Sequence, residues 1–148
     1  MRFLVDTNTL VFAANAASPH NAVVRAFLEE RFAGGAPWCI TWGNVYEFLR
    51  VTTHRRILAK PLTATQAVQF IHDLVDHYSV SILTATDRHR ELLGTTIAEL
   101  SRPEGNLFHD IETAVLAREH GVPEIITTDT DFLQFRFLRV TNPLVDPA

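Results

Sequence analysis

The chain of 148 residues, with 47% hydrophobic and 20% charged residues, has the length and composition of one globular domain with a sizeable core. Its net charge of -4 at first argues against a polyanionic partner such as RNA, and no apolar run approaches the roughly 18 residues that indicate a membrane span. Cys39 is the only cysteine, which excludes an intrachain disulfide or a zinc site built from thiolates, so a reducing cytoplasm is the expected compartment.

Short apolar runs alternate along the chain with longer segments of helical periodicity. This pattern is typical of β-α units that build a parallel sheet. The sequence therefore predicts a single α/β domain over residues 1–148, with a central parallel sheet of four to five short strands. The predicted strands cover residues 3–5, 38–40, 80–83, 125–127 and 138–140.

Two helices are predicted from periodicity and end signals. The first follows Pro19 and stops at Gly34 and Gly35, since glycine is favoured just after a helix. Its inward residues are predicted to be Val24, Phe27, Leu28 and Phe32. The second covers residues 63–78, where the apolar residues recur with the spacing of one helix face. Thr63 or Thr65 is its expected N-terminal cap.

A further helix is predicted around Glu47. Its buried stripe is predicted to consist of Trp42, Val45, Tyr46 and Leu49. At about 100° per residue, Glu47, Arg50 and His54 would project together about 110° away from that stripe, toward a rim. Glu47 is therefore a candidate metal ligand. The alternative is a solvated ion pair between Glu47 and Arg50, worth about 0.2–0.5 kcal/mol.

Asp110 begins another predicted helix. It opens a stripe of small residues, namely Ala114, Ala117 and Gly121. Such a stripe would let the helix pack closely on the sheet and direct the carboxylate toward the strand ends. Asp110 could instead be a first-turn acid that complements the helix dipole. Glu112, about 200° from Asp110, is predicted at the surface. His109 is predicted to face away or to cap the turn.

Two more acids follow predicted strands, Asp6 after residues 3–5 and Asp129 after residues 125–127. Each could simply cap the turn that follows, because Asp is favoured there. Asp131 could be a further ligand, a neighbour of the ligands or a cap. Acids at the carboxyl ends of parallel strands lie where α/β sheets place their active sites. Crowded carboxylates usually hold a hard divalent cation, here Mg²⁺ or Mn²⁺.

Such a cation would change the electrostatic argument against RNA. Two bound divalent cations would offset the net charge of -4, so that the acidic face would no longer repel a polyanion. All basic residues except Lys60 are arginine, and Arg50, Arg55 and Arg56 lie close together in the sequence. Arginine offers bidentate geometry to phosphate, although these residues could equally be solvated surface charges.

The acidic segments resemble the four motifs of the PIN-domain ribonucleases. These segments are VDTN at 5–8, Glu47 followed by Arg50, FHDIETA at 108–114 and TTDTDF at 127–132. The resemblance spans nearly the whole chain. The segment THRR at 53–56 and the NPL sequence at 142–144 resemble, in particular, the toxins of VapBC-type toxin-antitoxin pairs.

The resemblance implies a three-layer α/β/α fold and a metal-dependent endoribonuclease, the toxin of a type II toxin-antitoxin system. It also implies a set of Mg²⁺ or Mn²⁺ ligands, namely Asp6, Glu47, Asp110 and Asp129, with Asp131 as a further candidate. Thr7 or Asn8 would support a bound water. The implied reaction is hydrolysis of an RNA phosphodiester by water, which needs no side-chain nucleophile.

The implied partners are an RNA substrate, a cognate antitoxin protein and a second copy of the chain in a homodimer. Candidate RNA-binding residues are Arg50, His54, Arg55 and Arg56. No membrane partner is expected.

Three alternatives remain open from the sequence. Asp6 could belong to a phosphatase that forms an aspartyl phosphate, but that chemistry wants a second acid near position 8 and a well-placed lysine, and Lys60 is the only lysine. A noncatalytic interaction module with a degenerate acidic site is also compatible, because every acid has a structural role available. A PIN nuclease could instead act in RNA processing outside a toxin system, which the neighbouring gene would reveal.

Overall fold

Five parallel strands form one sheet in the computed structural model, which describes residues 2–148. The strands are β1 (Phe3–Val5), β2 (Trp38–Thr41), β3 (Ser81–Leu83), β4 (Glu124–Ile126) and β5 (Arg139–Thr141). Every strand agrees with its predicted bounds to within one residue, and all the pairings are parallel. The predicted sheet is therefore confirmed.

The order of the strands in the sheet is β3-β2-β1-β4-β5. From β1 the chain builds outward through β2 to β3, and then crosses to the other side of β1 for β4 and β5. The order therefore reverses between β1 and β4, which pair directly, with Val5 opposite Ile126. Ligands of open α/β sheets bind outside the carboxyl ends of the strands at such a reversal. The topology thus marks the ends of β1 and β4 as the place to look for a site.

In the described part of the chain, six α-helices cover the two faces of the sheet. They are α1 (Thr7–Ala14), α2 (Asn21–Ala33), α3 (Trp42–Thr52), α4 (Ala64–Tyr78), α5 (His89–Ala98) and α6 (Leu107–Glu119). A short 3-10 helix, Thr130–Gln134, lies between β4 and β5. None of the helices within residues 2–148 is long and apolar enough to cross a membrane.

The core is divided by the sheet into two layers. Successive side chains of a strand point to opposite faces. Phe3 and Val5 therefore pack with residues of α1 to α4, whereas Leu4 packs with residues of α5, α6 and the 3-10 helix. This arrangement confirms the predicted three-layer α/β/α fold.

Helix α4 begins and ends as predicted. The hydroxyl of Thr63 accepts a hydrogen bond from the backbone N–H of Gln66 at 3.1 Å. In return, Oε1 of Gln66 accepts the N–H of Thr63 at 2.9 Å. These reciprocal bonds form a capping box that satisfies two backbone donors at the start of the helix. Thr63, and not Thr65, is therefore the cap.

Helix α2 also stops where predicted, but one of its predicted inward residues lies outside the core. The helix ends at Ala33, and Gly35 adopts a φ of +79°, a conformation that favours glycine. Val24 and Phe27 are buried as predicted, whereas Phe32 is 41% exposed. The ring of Phe32 packs edge-on against Tyr78, with 4.8 Å between the ring centroids.

Helix α3 is rotated relative to the predicted orientation. Trp42 and Tyr46, predicted to be buried, are 49% and 70% exposed. The buried residues of α3 are Asn44, Val45, Phe48 and Thr52. Asn44 fixes this rotation, because its Oδ1 accepts the N–H of Thr41 at 3.0 Å and its Nδ2 donates to the hydroxyl of Thr7 at 3.1 Å. The sequence contains two overlapping apolar stripes, and the polar contacts of Asn44 select the second.

The amino-terminal end of β4 holds a buried carboxylate that the sequence did not single out. Glu124 is 3% exposed, and its two oxygens accept hydrogen bonds from the guanidinium of Arg31 at 2.8 and 2.9 Å. Arg139 lies 3.1 Å from the same carboxylate, and Thr141 donates to it at 2.6 Å. Burial would raise the pKa of Glu124, but these partners outweigh it and lower the pKa to about 2.

We expect Arg31→Met to lower the free energy of unfolding by about 3 kcal/mol or more, because it leaves the buried Glu124 carboxylate poorly compensated. Arg139→Met should cost about 1 kcal/mol or less, since the Arg139 side chain is 65% exposed. Urea denaturation at neutral pH measures both. Because the pKa of Glu124 is lowered, its stabilising contribution is present above about pH 4.5 and is lost as the pH falls toward about 2. Equal costs for the two variants would contradict the role given to Arg31.

Candidate functional site

Acidic side chains converge at the carboxyl ends of β1 and β4. An open groove of about 700 Å³ lies there, with walls from α3, from the start of α6 and from the segment after β4. The carboxylates that line it belong to Glu47, Asp110, Glu112, Asp129 and Asp131. Asp6 follows β1 and is 8% exposed, and its pKa responds to the charges of Glu47 and Asp129. The structure therefore brings together acids from all four predicted segments.

Asp6 caps a helix, and it also lies close to the other acids of the groove. Its Oδ1 accepts the N–H of Thr7 at 2.8 Å and so caps α1. Burial raises the pKa of Asp6 to about 6, against the lowering effect of hydrogen bonds from Thr127 and Thr7, and the charges of Glu47 and Asp129 raise it further. A cap alone would not require a carboxylate in this environment, because Asn caps a helix as well as Asp.

Thr127 connects the acids of the two central strands, and sequence reasoning missed it. Its hydroxyl donates to Oδ2 of Asp6 at 2.7 Å. The same hydroxyl oxygen accepts the backbone N–H of Asp129 at 3.0 Å and Nδ2 of Asn8 at 3.2 Å. The signal available in the sequence was the position of Thr127 at the end of a buried strand, two residues before Asp129.

Thr7 and Asn8, predicted to support a bound water, are engaged with the protein itself. Asn8 bonds to Thr127, and Thr7 accepts its hydrogen bond from Asn44. Thr7 is 5% and Asn44 is 3% exposed. Asn44 was also missed, although a polar residue three positions after Thr41 at a predicted helix start is a capping signal. These side chains hold the segment that carries Asp6 against α3.

Three carboxylates lie close enough together to share one ion. Asp110, Asp129 and Asp131 each offer an oxygen, and these oxygens all lie within 4.8 Å of one another. Oδ1 of Asp129 also accepts the N–H of Asp131 at 2.9 Å, which fixes the two residues relative to each other at the start of the 3-10 helix. Ala114 and Ala117 of the predicted small-residue stripe are buried, at 0% exposure, whereas Gly121 lies beyond the end of α6 and is exposed.

The pKa of the Asp110 carboxyl is raised to about 7. Burial is the largest cause, and the negative charges of the neighbouring acids add to it, in the order Asp129, Asp6, Asp131 and Glu47. A group of oxygen ligands with net negative charge suits a hard cation such as Mg²⁺ or Mn²⁺. The donor set therefore fits the ion that the sequence predicts.

Glu47 and Arg50 line the groove on the side of α3. Their side chains are 46% and 64% exposed, and Nη2 of Arg50 lies 4.0 Å from Oε1 of Glu47. The solvated i,i+3 pair considered from the sequence is thus present, and it is weak at this exposure. Glu47 also faces the groove, so the two interpretations of this residue are compatible.

Two residues predicted to face away from Asp110 also line the groove. His109 and Glu112 are both exposed, as expected, but the groove extends around the first turn of α6 and includes them. Glu112 reaches over Gly43 of α3, where a side chain on Gly43 would meet its carboxylate. Both residues are exposed as predicted, but they line the groove because α3 lies beside the first turn of α6.

The predicted cluster of His54, Arg55 and Arg56 does not line the groove. Helix α3 ends at Thr52, so His54 lies in the following turn and does not project with Glu47 as predicted. In that turn Nδ1 of His54 accepts the N–H of Arg56 at 3.1 Å. All three side chains are exposed.

Comparison with known proteins agrees with this architecture. The PIN domain model matches residues 3–138. The chain belongs to the PIN-domain family. It is 29% identical over 139 residues to ribonuclease VapC33 of Mycobacterium tuberculosis, a match that covers 94% of this chain and 96% of the relative. Ribonuclease VapC48 of the same organism is 29% identical over 138 residues, covering 93% of this chain and 94% of the relative.

Known structures show the same PIN fold. VapBC2 from Rickettsia felis, bound to a DNA fragment from its promoter, gives a TM-score of 0.72 at 18% identity and covers 96% of this chain and 98% of its own. Mycobacterium tuberculosis VapC20, described as a toxin that cleaves the sarcin-ricin loop, gives 0.58 at 18% identity and covers 88% of this chain and 92% of its own. The family resemblance inferred from the sequence is therefore confirmed.

The raised pKa values predict how the metal-free PIN domain responds to pH. Folding disfavours the ionised forms of Asp6 and Asp110. Below about pH 4 both groups are protonated in the folded and the unfolded state, so they do not affect the free energy of unfolding. That free energy should fall as the pH rises toward the folded-state pKa values, about 6 for Asp6 and about 7 for Asp110. For Asp6 the loss should reach about 3 kcal/mol, and Asp6→Asn should remove it while preserving the cap.

Chemical denaturation in EDTA between pH 4 and 8 measures the difference between wild type and Asp6→Asn. Asp76→Asn is the matched control, because Asp76 is an exposed acid on α4 outside the groove. If Asp6→Asn kept the wild-type pH dependence, the Asp6 carboxylate would not be destabilised by burial and by its acidic neighbours, and the prediction would be wrong.

Proposed function

We propose that this PIN domain, acting as a single domain, is a metal-dependent endoribonuclease and the toxin of a type II toxin-antitoxin system. The observation that carries the proposal is the approach of the Asp110, Asp129 and Asp131 carboxylates to within 4.8 Å, at the reversal point of the sheet. The names of the relatives support RNA as the substrate, since VapC33 and VapC48 are both called ribonucleases.

The proposed ligands of Mg²⁺ or Mn²⁺ are Asp110, Asp129 and Asp131, together with Asp6, which is buried directly after β1, and Glu47, which lines the groove from α3. Asp131 belongs to the set because its oxygen lies within the same 4.8 Å group as those of Asp110 and Asp129. When bound, such an ion would polarise the phosphodiester, favour ionisation of the attacking water and stabilise the leaving oxygen.

The protein's own residues would prepare the site for that chemistry. The hydroxyl of Thr127 and the N–H of Thr7 hold the Asp6 carboxylate in place. The pKa of the Asp110 carboxyl is raised to about 7, so this group would give up its proton on binding a cation. Arg50, beside Glu47 on the groove wall, would bind a phosphate oxygen of the RNA.

Further contacts with the RNA backbone are proposed for the exposed His54, Arg55 and Arg56, which would follow the strand beyond the groove. Thr7 and Asn8 are proposed to support a water indirectly, by orienting Asp6 and Thr127. The proposed partners are a cognate antitoxin, as in the VapBC structures with the same fold, and a second copy of this chain. The proposed compartment is the cytoplasm.

The reaction predicts a specific set of products. Cleavage by water should leave a 5′-phosphate and a 3′-hydroxyl, and should continue when the attacked nucleotide lacks its 2′-hydroxyl. Purified protein is incubated with a cellular RNA pool in Mn²⁺ or EDTA, and the fragment ends are identified by mass spectrometry. Asp110→Asn should lower kcat at least a hundredfold, whereas Asp76→Asn should cleave as wild type does.

EDTA should stop the cleavage and Mn²⁺ should restore it. Cyclic phosphates formed in EDTA, with activity that depends on Arg50 or His54 and not on Asp6, would contradict the carboxylate mechanism. The absence of cleavage in Mn²⁺, together with normal ion binding, would favour a noncatalytic module.

The ion should also stabilise the folded protein. At ten times its dissociation constant, an ion that binds only the folded state adds about 1.4 kcal/mol. Mg²⁺ or Mn²⁺ should therefore raise the melting temperature where Na⁺ at matched ionic strength does not. Replacing Asp110 and Asp129 together by Asn should abolish the shift, and Asp76→Asn should retain it. Calorimetry that detects no divalent binding at millimolar ion would exclude the metal site.

A further inference from the structure

A second, shallower cavity of about 350 Å³ adjoins the acidic groove, and we call it the side cavity. The two cavities share Gly43, Tyr46 and Glu112 as walls. Trp42 and His89 complete the outer part of the side cavity. Because the walls are continuous, a nucleic acid strand whose phosphate lies in the groove can extend a neighbouring base into the side cavity.

Two aromatic side chains of α3 are available at this junction. Trp42 is 49% and Tyr46 is 70% exposed, and their spacing of four residues places them on the same side of the helix. Unpaired RNA bases are bound mainly by stacking on exposed aromatic rings. Tyr46 lines both cavities, so a base stacked there would belong to a nucleotide close to the acidic groove.

The polar groups of the side cavity suit the edge of a base. Nδ1 of His89 is paired with Oε1 of Glu119 at 2.5 Å, and the other oxygen of Glu119 accepts the N–H of Thr86 at 2.8 Å. This orients the His89 ring, whose Nε2 has no hydrogen-bond partner in residues 2–148. The Glu112 carboxylate offers acceptors, which complement the exocyclic amino group of adenine, cytosine or guanine. Uracil lacks this group and offers only its ring N–H as a donor.

We propose that the side cavity binds the base of a nucleotide adjacent to the cleaved phosphate and prefers a base that carries an exocyclic amino group. Trp42 and Tyr46 supply stacking, while Glu112 and His89 read the edge of the base. This proposal rests on the proposed ribonuclease function, and it specifies which bases the enzyme prefers next to the cleaved phosphate. The competing occupant is a second copy of this chain that covers the same aromatic residues, and the experiments below separate the two.

Binding can be tested without cleavage. Short RNA oligomers are titrated in Mg²⁺ into an Asp110→Asn variant, and tryptophan fluorescence is recorded. Trp38, the only other tryptophan, is 4% exposed, so quenching reports on Trp42. We expect quenching that Trp42→Phe removes, and roughly tenfold weaker binding when one particular nucleotide is made abasic. Quenching and affinity that are insensitive to every abasic position would overturn the proposal.

The second experiment maps cleavage sites in a randomised RNA pool. Wild-type protein should favour amino-bearing bases at one position next to the cut, and Trp42→Ala should flatten that preference while cleavage continues. Glu112→Gln should flatten it as well. Val75→Ala, an exposed apolar residue of α4 outside the side cavity, should keep the wild-type profile. An unchanged profile for Trp42→Ala would overturn the side cavity and leave the ribonuclease function intact.

Two further outcomes separate this proposal from others. If wild-type protein cleaved no RNA, the proposed function would be wrong. The fluorescence titration alone would then test whether the side cavity binds a base. Sedimentation of wild type and Trp42→Ala tests the second copy. Loss of a dimer in Trp42→Ala, with base preference unchanged, would assign the aromatic residues to self-association and overturn the proposal.

Discussion

The hydrogen bond from the Thr127 hydroxyl to the Asp6 carboxylate joins the ends of the two central strands, and the arrangement of the acidic groove depends on it. The same hydroxyl accepts the N–H of Asp129, so one side chain fixes the acids that follow β1 and β4 relative to each other. The backbone N–H of Asp6 also donates to the carbonyl of Ile126 at 3.0 Å, so the two strand ends stay paired although the carboxylates repel one another. The bond holds the charges in place but does not neutralise them, which leaves the need for a cation.

The two ends of β4 show how the same chemical group can serve opposite purposes. At the amino end, Glu124 is almost fully buried, but Arg31 and Arg139 face it and its pKa falls to about 2. At the carboxyl end, Asp110 faces Asp129 and Asp131, and its pKa rises to about 7. Burial opposes ionisation at both ends, so the partners decide the outcome. Glu124 is a structural acid because its charge is matched, and Asp110 is a candidate ligand because its charge is not.

This contrast explains what the sequence could and could not predict. The five strands were predicted because short apolar runs between helical segments determine them locally. The acids at the strand ends were predicted because their position follows from the strands. Glu124 escaped notice because its partner Arg31 is far away in the sequence, and only the fold brings the two together. Thr127 and Asn44 were missed for the same reason, since their contacts join separate elements.

The orientation of α3 required information that periodicity lacks. Two apolar stripes overlap on this helix and share Val45, which is buried as predicted. One continues with Trp42 and Tyr46 and the other with Phe48, and residue spacing fits either. Tertiary contacts resolve the choice, because Asn44 binds Thr7 only when Phe48 faces the core. The predicted burial of Trp42 and Tyr46 failed, although the prediction that Glu47 faces a rim succeeded.

The exposure of Trp42 and Tyr46 has an energetic meaning of its own. Burial of a large apolar side chain typically contributes about 1.5–3 kcal/mol. The fold leaves about half of that contribution unused at Trp42, which is 49% exposed, and most of it at Tyr46, which is 70% exposed. The rotation that exposes them also turns Glu47 toward the groove, so one rigid helix presents an acid and two aromatic rings to adjoining cavities. In the proposed function, α3 would therefore contribute one acid to the groove and two aromatic rings for base stacking beside it. A change of aromatic residue can then alter which RNA is bound without moving the carboxylates.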